Sequence, residues 1–447
     1  MGLKKLGAAI LAASLAFGMT GCGNNADTKA ENMGTVTEEY NETGVTESDE
    51  SQESQEENSN GTETEKEEKA EEGTIIEVPA LEPVEIPDNE ALQFVEDLQL
   101  GWNLGNTFDA SDCGASDDLA YESAWVGVTT TKEMIQTIAD AGFKTIRIPV
   151  SWHNHVDDNN QISEVWMNRI QEVVDWALEE DMYVILNIHH DNEEGFMYPS
   201  YEQSERSKEY VQAVWEQIAT RFAEYDERLI FETLNEPRQT GTDHEWWIDV
   251  NSEIGKECID CVNQLNQAAV DTIRANGNGY NRTRYIMVPG YCASADFALT
   301  DGFVIPTDNA DAENRILVSV HAYTPYNFAL AGENDQNSTD QFSIAEKNGT
   351  ADIDNFMKRL YDKFISQGTG VVIGEFGARA KNNNVEARTE FAAYYVARAR
   401  HYGITACWWD NNAFGGDGEN FGILRRVKNQ ILFPQIVEQM VYYSKKN

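Results

Sequence analysis

Residues 229–238 read LIFETLNEPR, an apolar run that closes on a paired amide and carboxylate, Asn235 and Glu236. Residues 371–375, VVIGE, close in the same way on Glu375, about 140 residues further on. Short runs of branched apolar residues without polar alternation suit strands buried on both faces, as in parallel sheets covered by helices. Working outward from these two, Leu98–Leu104, Thr145–Val150, Tyr183–Ile188, Tyr285–Val288, Ile316–Val320 and Ile404–Trp408 have the same character. With Leu229–Leu234 and Val371–Ile373 they make eight strand candidates. The stretches between them carry apolar residues at spacings of three and four, as in Ile170, Val173, Val174, Ala177 and Leu178, or Phe356, Leu360, Tyr361 and Phe364. That spacing marks one face of a helix.

Eight strand–helix repeats in about 350 residues predict an α/β protein with a closed (β/α)8 TIM barrel. An open dinucleotide-binding sheet is disfavoured. The first run continues as Gly101-Trp102-Asn103-Leu104-Gly105-Asn106, which is not GxGxxG, and Trp102 would obstruct a pyrophosphate. Polar and aromatic residues gather where the runs end, the rim on which a barrel builds its active site. They are Asn103, Arg147, His189, Asn235, Glu236, His321, Tyr323, Glu375 and Trp409.

The front of the 447-residue chain has a different character. Residues 1–22 place Lys4 and Lys5 before an apolar run from Leu6 to Phe17, too short for a stable membrane span, and end in Met19-Thr20-Gly21-Cys22. That ending resembles a lipobox, so export with lipidation at Cys22 is expected; plain secretion and a simple apolar helix are the alternatives. Residues 23–72 hold 17 acidic side chains against three lysines and almost no branched or aromatic apolar residue. Such a segment cannot bury enough surface to offset its ordering entropy, and an extended, self-repelling spacer is expected. The division is therefore leader 1–22, acidic spacer 23–84 and catalytic domain 85–447. Of the net charge of −44, −32 falls on residues 73–447. This argues against nucleic acid and polyanionic substrates, while a neutral polysaccharide would be indifferent to it. Cys113, Cys258, Cys261, Cys292 and Cys407 remain after Cys22, an odd number that does not suggest a disulfide scaffold. Cys258 and Cys261 form a CxxC inside an apolar-periodic helix with no second CxxC, which reads as core packing rather than a zinc or redox motif.

Two carboxylates brought together from distant strands can divide the acid and nucleophile roles that glycoside cleavage requires. The motifs around them carry a definite resemblance: GWNLGNT at 101–107, RIPVSWHNH at 147–155, VILNIHHD at 184–191, FETLNEP at 231–237, HAYTPY at 321–326, VIGEFG at 372–377 and WWDN at 408–411. In this order, over roughly residues 90–440, the chain resembles glycoside hydrolase family 5, and within it the bacterial endoglucanases of subfamily 4. The resemblance implies Glu236 as general acid/base and Glu375 as nucleophile. It also implies Asn235 on the sugar 2-hydroxyl, Arg147 and Tyr323 on Glu375, His321 beside Glu236, His189 on the glycone side and Trp409 as aromatic floor under the −1 sugar. Whether Trp408 or Trp409 is that floor depends on strand register; the WDN ending favours Trp409. Asn103, Trp125, His155 and Trp408 are further cleft candidates, with His155 leaning towards loop support; Trp102 and Trp125 could each line the cleft or simply pack. His189, His190, Asp191 and His321 could suggest zinc, but a carboxylate pair needs no metal, and neither metal nor cofactor is expected.

These residues imply endo-hydrolysis of β-1,4-glucosidic bonds with retention, and carboxyl groups about 5–5.5 Å apart rather than roughly 6.5–9.5 Å. Xyloglucan, mixed-linkage glucan and mannan are the alternative substrates, with the loops 111–125 and 331–353 as expected cleft walls. A non-catalytic glucan-binding surface protein is the rival from another class, disfavoured because both carboxylates and the arginine are present. The expected partner is a neutral β-glucan, with a membrane only through Cys22, and the expected state is a monomer. No further binding module is read after a last helix near Ile436–Tyr443.

Overall fold

The computed structural model describes residues 74–416 and 418–445. The leader, Cys22 and the spacer up to residue 73 lie outside them. Eight strands form a closed parallel barrel: β1 Leu100–Leu104, β2 Thr145–Ile148, β3 Tyr183–Asn187, β4 Leu229–Glu232, β5 Ile286–Ser294, β6 Ile316–His321, β7 Val371–Phe376 and β8 Thr405–Asp410. Each pairs with the next, and β8 returns to β1 with Asn103 opposite Trp409. The outer layer includes helices Glu164–Glu179, Ser204–Arg221, Glu253–Ala275, Thr350–Lys363, Val385–His401 and Pro434–Ser444. Their apolar faces pack on the outward residues of the strands, such as Ile146, Val184, Phe231, Val288 and Trp408.

Four ladders run further than the apolar runs suggested. β5 continues to Ser294 through a register shift, β6 includes His321, β7 includes Glu375, and β8 includes Trp409. Polar residues continue these strands because the rim of the barrel is still backbone-paired where its interior has turned polar. Glu375 and Trp409 thus project from strands rather than from the loops that follow.

The barrel interior is layered. At the N-terminal end, helix Glu90–Leu98 plugs the opening with Ala91, Phe94, Val95 and Leu98, packed on Ile185, Ile230, Met287, Leu317, Val372 and Cys407. Full burial of each large side chain in such a layer stabilises the fold by about 1.5–3 kcal/mol. Asn89 caps the plug by accepting from Leu92 N at 2.9 Å, and Thr145 Oγ1 and Thr405 Oγ1 donate to its carbonyls at Leu98 and Val95. One step up the strands the interior becomes hydrogen-bonding: Asn103, Arg147, Asn187, Glu232 and Ser319, all fully buried. Gly374 belongs to this layer, since a Cβ there would lie 3.1 Å from His321 Nε2 and 3.3 Å from Glu232 Oε1.

The domain boundary expected at residue 85 is too late. Residues 74–84 run as an extended strap on the barrel flank: Ile76 N donates to Gln439 Oε1 at 2.9 Å, Val78 N to Tyr443 OH at 3.1 Å, and Arg398 Nη1 to the Pro79 carbonyl at 2.8 Å. Val78, Leu81 and Val84 lie against the core. Scattered apolar residues in a Pro-bearing stretch read as linker, because their partners are about 320–365 positions away. Cys258 and Cys261 are buried in helix Glu253–Ala275, and Cys258 packs with Ile248, Tyr291 and Cys292. No described helix is long and apolar enough to cross a membrane.

Candidate active site

Arg147 is the hub of the barrel mouth. From inside β2 its Nε reaches Glu232 at 2.8 Å, Nη1 reaches Asn103 Oδ1 at 3.0 Å and Glu375 Oε1 at 2.8 Å, and Nη2 reaches Asn235 Oδ1 at 2.7 Å. A buried guanidinium is tolerable only with its donors engaged, and the rigid planar fork sets where these acceptors stand relative to one another. Its pKa is raised: burial opposes the charge, but the charges of Glu232 and Glu375 outweigh it. Asn103, from β1, also donates to the Gly374 carbonyl at 2.9 Å, so it supports the floor rather than facing the cleft.

Glu232 is the counter-ion that the list of candidates missed. It accepts from Arg147, from Asn187 Nδ2 at 2.9 Å and from Ser319 Oγ at 2.6 Å. Its place was readable: Glu232 stands two residues after Ile230, on the same inward face of β4, and a carboxylate inside a buried strand requires a cation.

Glu375 is held on both oxygens, by Arg147 on Oε1 and by Tyr323 OH on Oε2 at 2.8 Å. Glu236, four residues past the end of β4, bonds His321 Nδ1 through Oε1 at 2.8 Å. One oxygen of Glu236, one of Glu375 and a nitrogen of His321 all lie within 4.8 Å of one another. Burial pushes the Glu236 pKa up, but the hydrogen bond and charge of His321, with Arg238, bring it down to about 2. His321 is raised above its usual 6.5: burial lowers it, and the charges of Glu375 and Glu236 more than compensate. The hydrogen bond thus joins a carboxylate held low to an imidazole held high. Arg238 was not among the candidates. Its Nη1 donates to the Glu236 carbonyl at 3.0 Å and approaches Oε2 at 3.3 Å.

Register separates the two tryptophans of β8. Trp409 faces the mouth, its ring over Gly105, where a Cβ would come within 2.8 Å, and parallel to the His189 ring at 5.9 Å. Trp408 points outward into the core, fully buried, with Nε1 donating to the Phe421 carbonyl at 3.0 Å. Trp408 is therefore not a cleft residue. Trp102 is equally buried, bonded to Asp410 Oδ2 at 3.1 Å. Trp125 is 42% exposed and tilts against His190 at 5.8 Å, so it lines the rim. His189 and His190 are both pushed down, chiefly by burial, and stay neutral.

His155 takes the loop-support role towards which its reading leaned, and is not a cleft residue. It stacks on Trp166 at 3.8 Å and bonds Asp118 Oδ1 at 2.9 Å beneath the loop after β1. His153 does comparable work with full charge. Its Nδ1 bonds Asp191 at 2.6 Å and its Nε2 bonds Asp112 at 3.1 Å. Burial opposes that charge, yet the two aspartates hold the His153 pKa at about 10. Asp191 accepts from Trp152 N and His153, so the His189-His190-Asp191 run does not form the four-ligand set that zinc would need. The insertion 331–353 is anchored by Phe342, which packs edge-on to Phe391, and by Lys381, whose Nζ donates to the carbonyls of Asn327 and Ala331 at 3.0 Å.

Residues 108–415 match a family model described as Cellulase (glycosyl hydrolase family 5). Endoglucanase A of Clostridium longisporum is 40% identical over 355 residues, 78% of this chain and 65% of that protein. The cellulase/esterase CelE of Acetivibrio thermocellus is 40% identical over 359 residues, 79% of this chain and 40% of that protein. The chain thus spans less than two thirds of either relative. Among solved structures, the glycoside hydrolase 5 lichenase from Caldicellulosiruptor sp. F32, a mutant in complex with cellotetraose, superposes with a TM-score of 0.80 at 52% identity, covering 83% of this chain and 100% of that one.

Proposed function

The chain belongs to glycoside hydrolase family 5, and from that premise we propose that it is a retaining endo-β-1,4-glucanase acting through Glu236 and Glu375. The observation that carries this reading is that one oxygen of Glu236 and one of Glu375 lie within 4.8 Å of each other, an approach that suits the short carboxyl separation of a retaining enzyme better than the roughly 6.5–9.5 Å of an inverting one. In the first step a lone pair of Glu375 attacks the anomeric carbon, and the glycosidic C–O bond breaks. The departing oxygen takes a proton from Glu236, which His321 supplies across their 2.8 Å bond. In the second step Glu236 removes a proton from water, whose oxygen displaces Glu375 and leaves the anomer unchanged overall. Arg147 and Tyr323 aim Glu375, Asn235 meets the 2-hydroxyl, and Trp409 with neutral His189 makes the bed of the −1 sugar.

Proton NMR of the first product from a soluble β-1,4-glucan tests the stereochemistry, with the β-anomer expected. Glu375→Gln is expected to abolish turnover with the fold intact. An initial α-anomer, or near-normal activity in that variant, would refute the mechanism. The lichenase named above favours a mixed-linkage glucan as a second substrate. Side-by-side rates on carboxymethylcellulose, lichenan, tamarind xyloglucan and glucomannan rank the choices. Export with lipidation at Cys22 completes the proposal. Incorporation of labelled palmitate into the wild type but not into Cys22→Ser tests it.

A further inference from the structure

The loop after β4 exposes two adjacent indoles, Trp246 at 53% and Trp247 at 60%. Exposed aromatics are ordinary on mobile loops, but this one is tied down along its length. Tyr291 OH donates to the His244 carbonyl at 2.6 Å, and Gln239 N donates to Tyr291 OH at 3.0 Å. Cys292 Sγ donates to the Glu245 carbonyl at 3.0 Å, and Gly241 N to Glu245 Oε2 at 3.0 Å. Ile248 is buried against Cys258, Tyr291 and Cys292. A rigid loop that leaves a large apolar ring in water has already met the ordering cost of a contact surface.

Trp246 is the ring that the site reaches. The Arg238 guanidinium lies 4.1 Å from its centroid, while the same arginine contacts the carbonyl and Oε2 of Glu236. One face of the indole is thus backed by a cation that is itself 8% exposed, and the remainder of the ring is open. Glu236 addresses the leaving oxygen, so the residues beyond it face the departing sugar. Trp409, His189, His190 and Trp125 form a separate aromatic group on the loops and strands of β8, β3 and β1. We propose that Trp246, clamped by Arg238, is a stacking platform for the leaving-group side of a β-glucan chain, taking the C–H face of a glucosyl unit beyond the cleavage point. This rests on the endoglucanase reading and adds a specificity-determining residue to it.

The test compares kcat/KM on cellopentaose, which places sugars on both sides of the scissile bond, with that on an aryl cellobioside, whose leaving group has no sugar to stack. For Trp246→Ala the ratio of the two is expected to fall about tenfold, the scale of a truncated aromatic anchor, and Trp246→Phe is expected to restore most of it. Transfer to added cellobiose, which needs the same surface, is expected to fall in parallel with the ratio. An unchanged ratio overturns the proposal. So does an equal loss on both substrates, which would mark Trp246 as a prop for Arg238 and Glu236. Wild-type enzyme inactive on both substrates would instead sink the endoglucanase reading.

Discussion

Replacing Arg147 with methionine keeps an unbranched stem, two heavy atoms shorter, and removes the charge that four acceptors share. Glu232 and Asn103 are fully buried, and Glu375 and Asn235 nearly so. Ser319 and Asn187 would still donate to Glu232, and Tyr323 to Glu375, so the loss should fall at the low end of the range for breaking a buried pair, about 3 kcal/mol. Over about 370 described residues, with about 2.1 cal/mol/K of unfolding entropy each, that is a decrease in Tm of roughly 4 °C. Turnover should fall more than stability suggests, by at least about a hundredfold, because Glu375 and Asn235 lose their common reference. Calorimetry and initial rates on a soluble glucan read the two effects separately. In Arg147→Met/Glu232→Gln the stranded charge is gone, so the Tm should recover in part while the rate does not. A single variant with wild-type Tm and rate would refute the account of the floor, as would a double variant no more stable than the single.

His321→Asn should move the alkaline limb of the pH–rate profile to lower pH. In the wild type that limb follows the raised imidazole, and in the variant it follows Glu236 alone. The same raised pKa predicts that the stability advantage of the wild type over this variant is full below the unfolded histidine value of about 6.5 and is lost as pH rises through the folded value. Melts across pH 5–9 check this, and a gap that widens with rising pH would contradict it. Deleting residues 74–84 should cost roughly 2–4 kcal/mol through Val78, Leu81 and Val84, visible as a lower Tm with kcat unchanged, since the strap lies far from the mouth. Trp408→Ala should lower stability by about 3–5 kcal/mol, whereas Trp409→Ala should mainly reduce kcat/KM on glucan. Equal melting temperatures for the two variants would contradict the register of β8.

The barrel was legible because eight buried parallel strands leave eight apolar runs, and the rim was legible because polar residues end those runs. Arg147, Asn235, Glu236, His321, Tyr323 and Glu375 all meet at the mouth as their motifs implied. Trp408 and Trp409 could not be separated by sequence, because a one-residue slip in a strand exchanges its faces and both neighbours are the same residue. His155 was ambiguous for another reason: a histidine beside an active-site motif looks the same whether its ring meets sugar or stacks on Trp166. The strap at 74–84 was hidden by distance, since only the far end of the chain explains why those residues are held.

The contacts of His153 carry a consequence for engineering. Asp112, His153 and Asp191 come from the stretches after β1, β2 and β3, and one charged ring joins all three. Exchanging any single stretch with a relative would strand a carboxylate or a cation, so new glycone preferences should be transplanted as a three-part cassette. The stretch after β4 is bound to the third of these, Gln239 Nε2 donating to the Pro199 carbonyl at 3.0 Å, so its exchange has to preserve that seam as well.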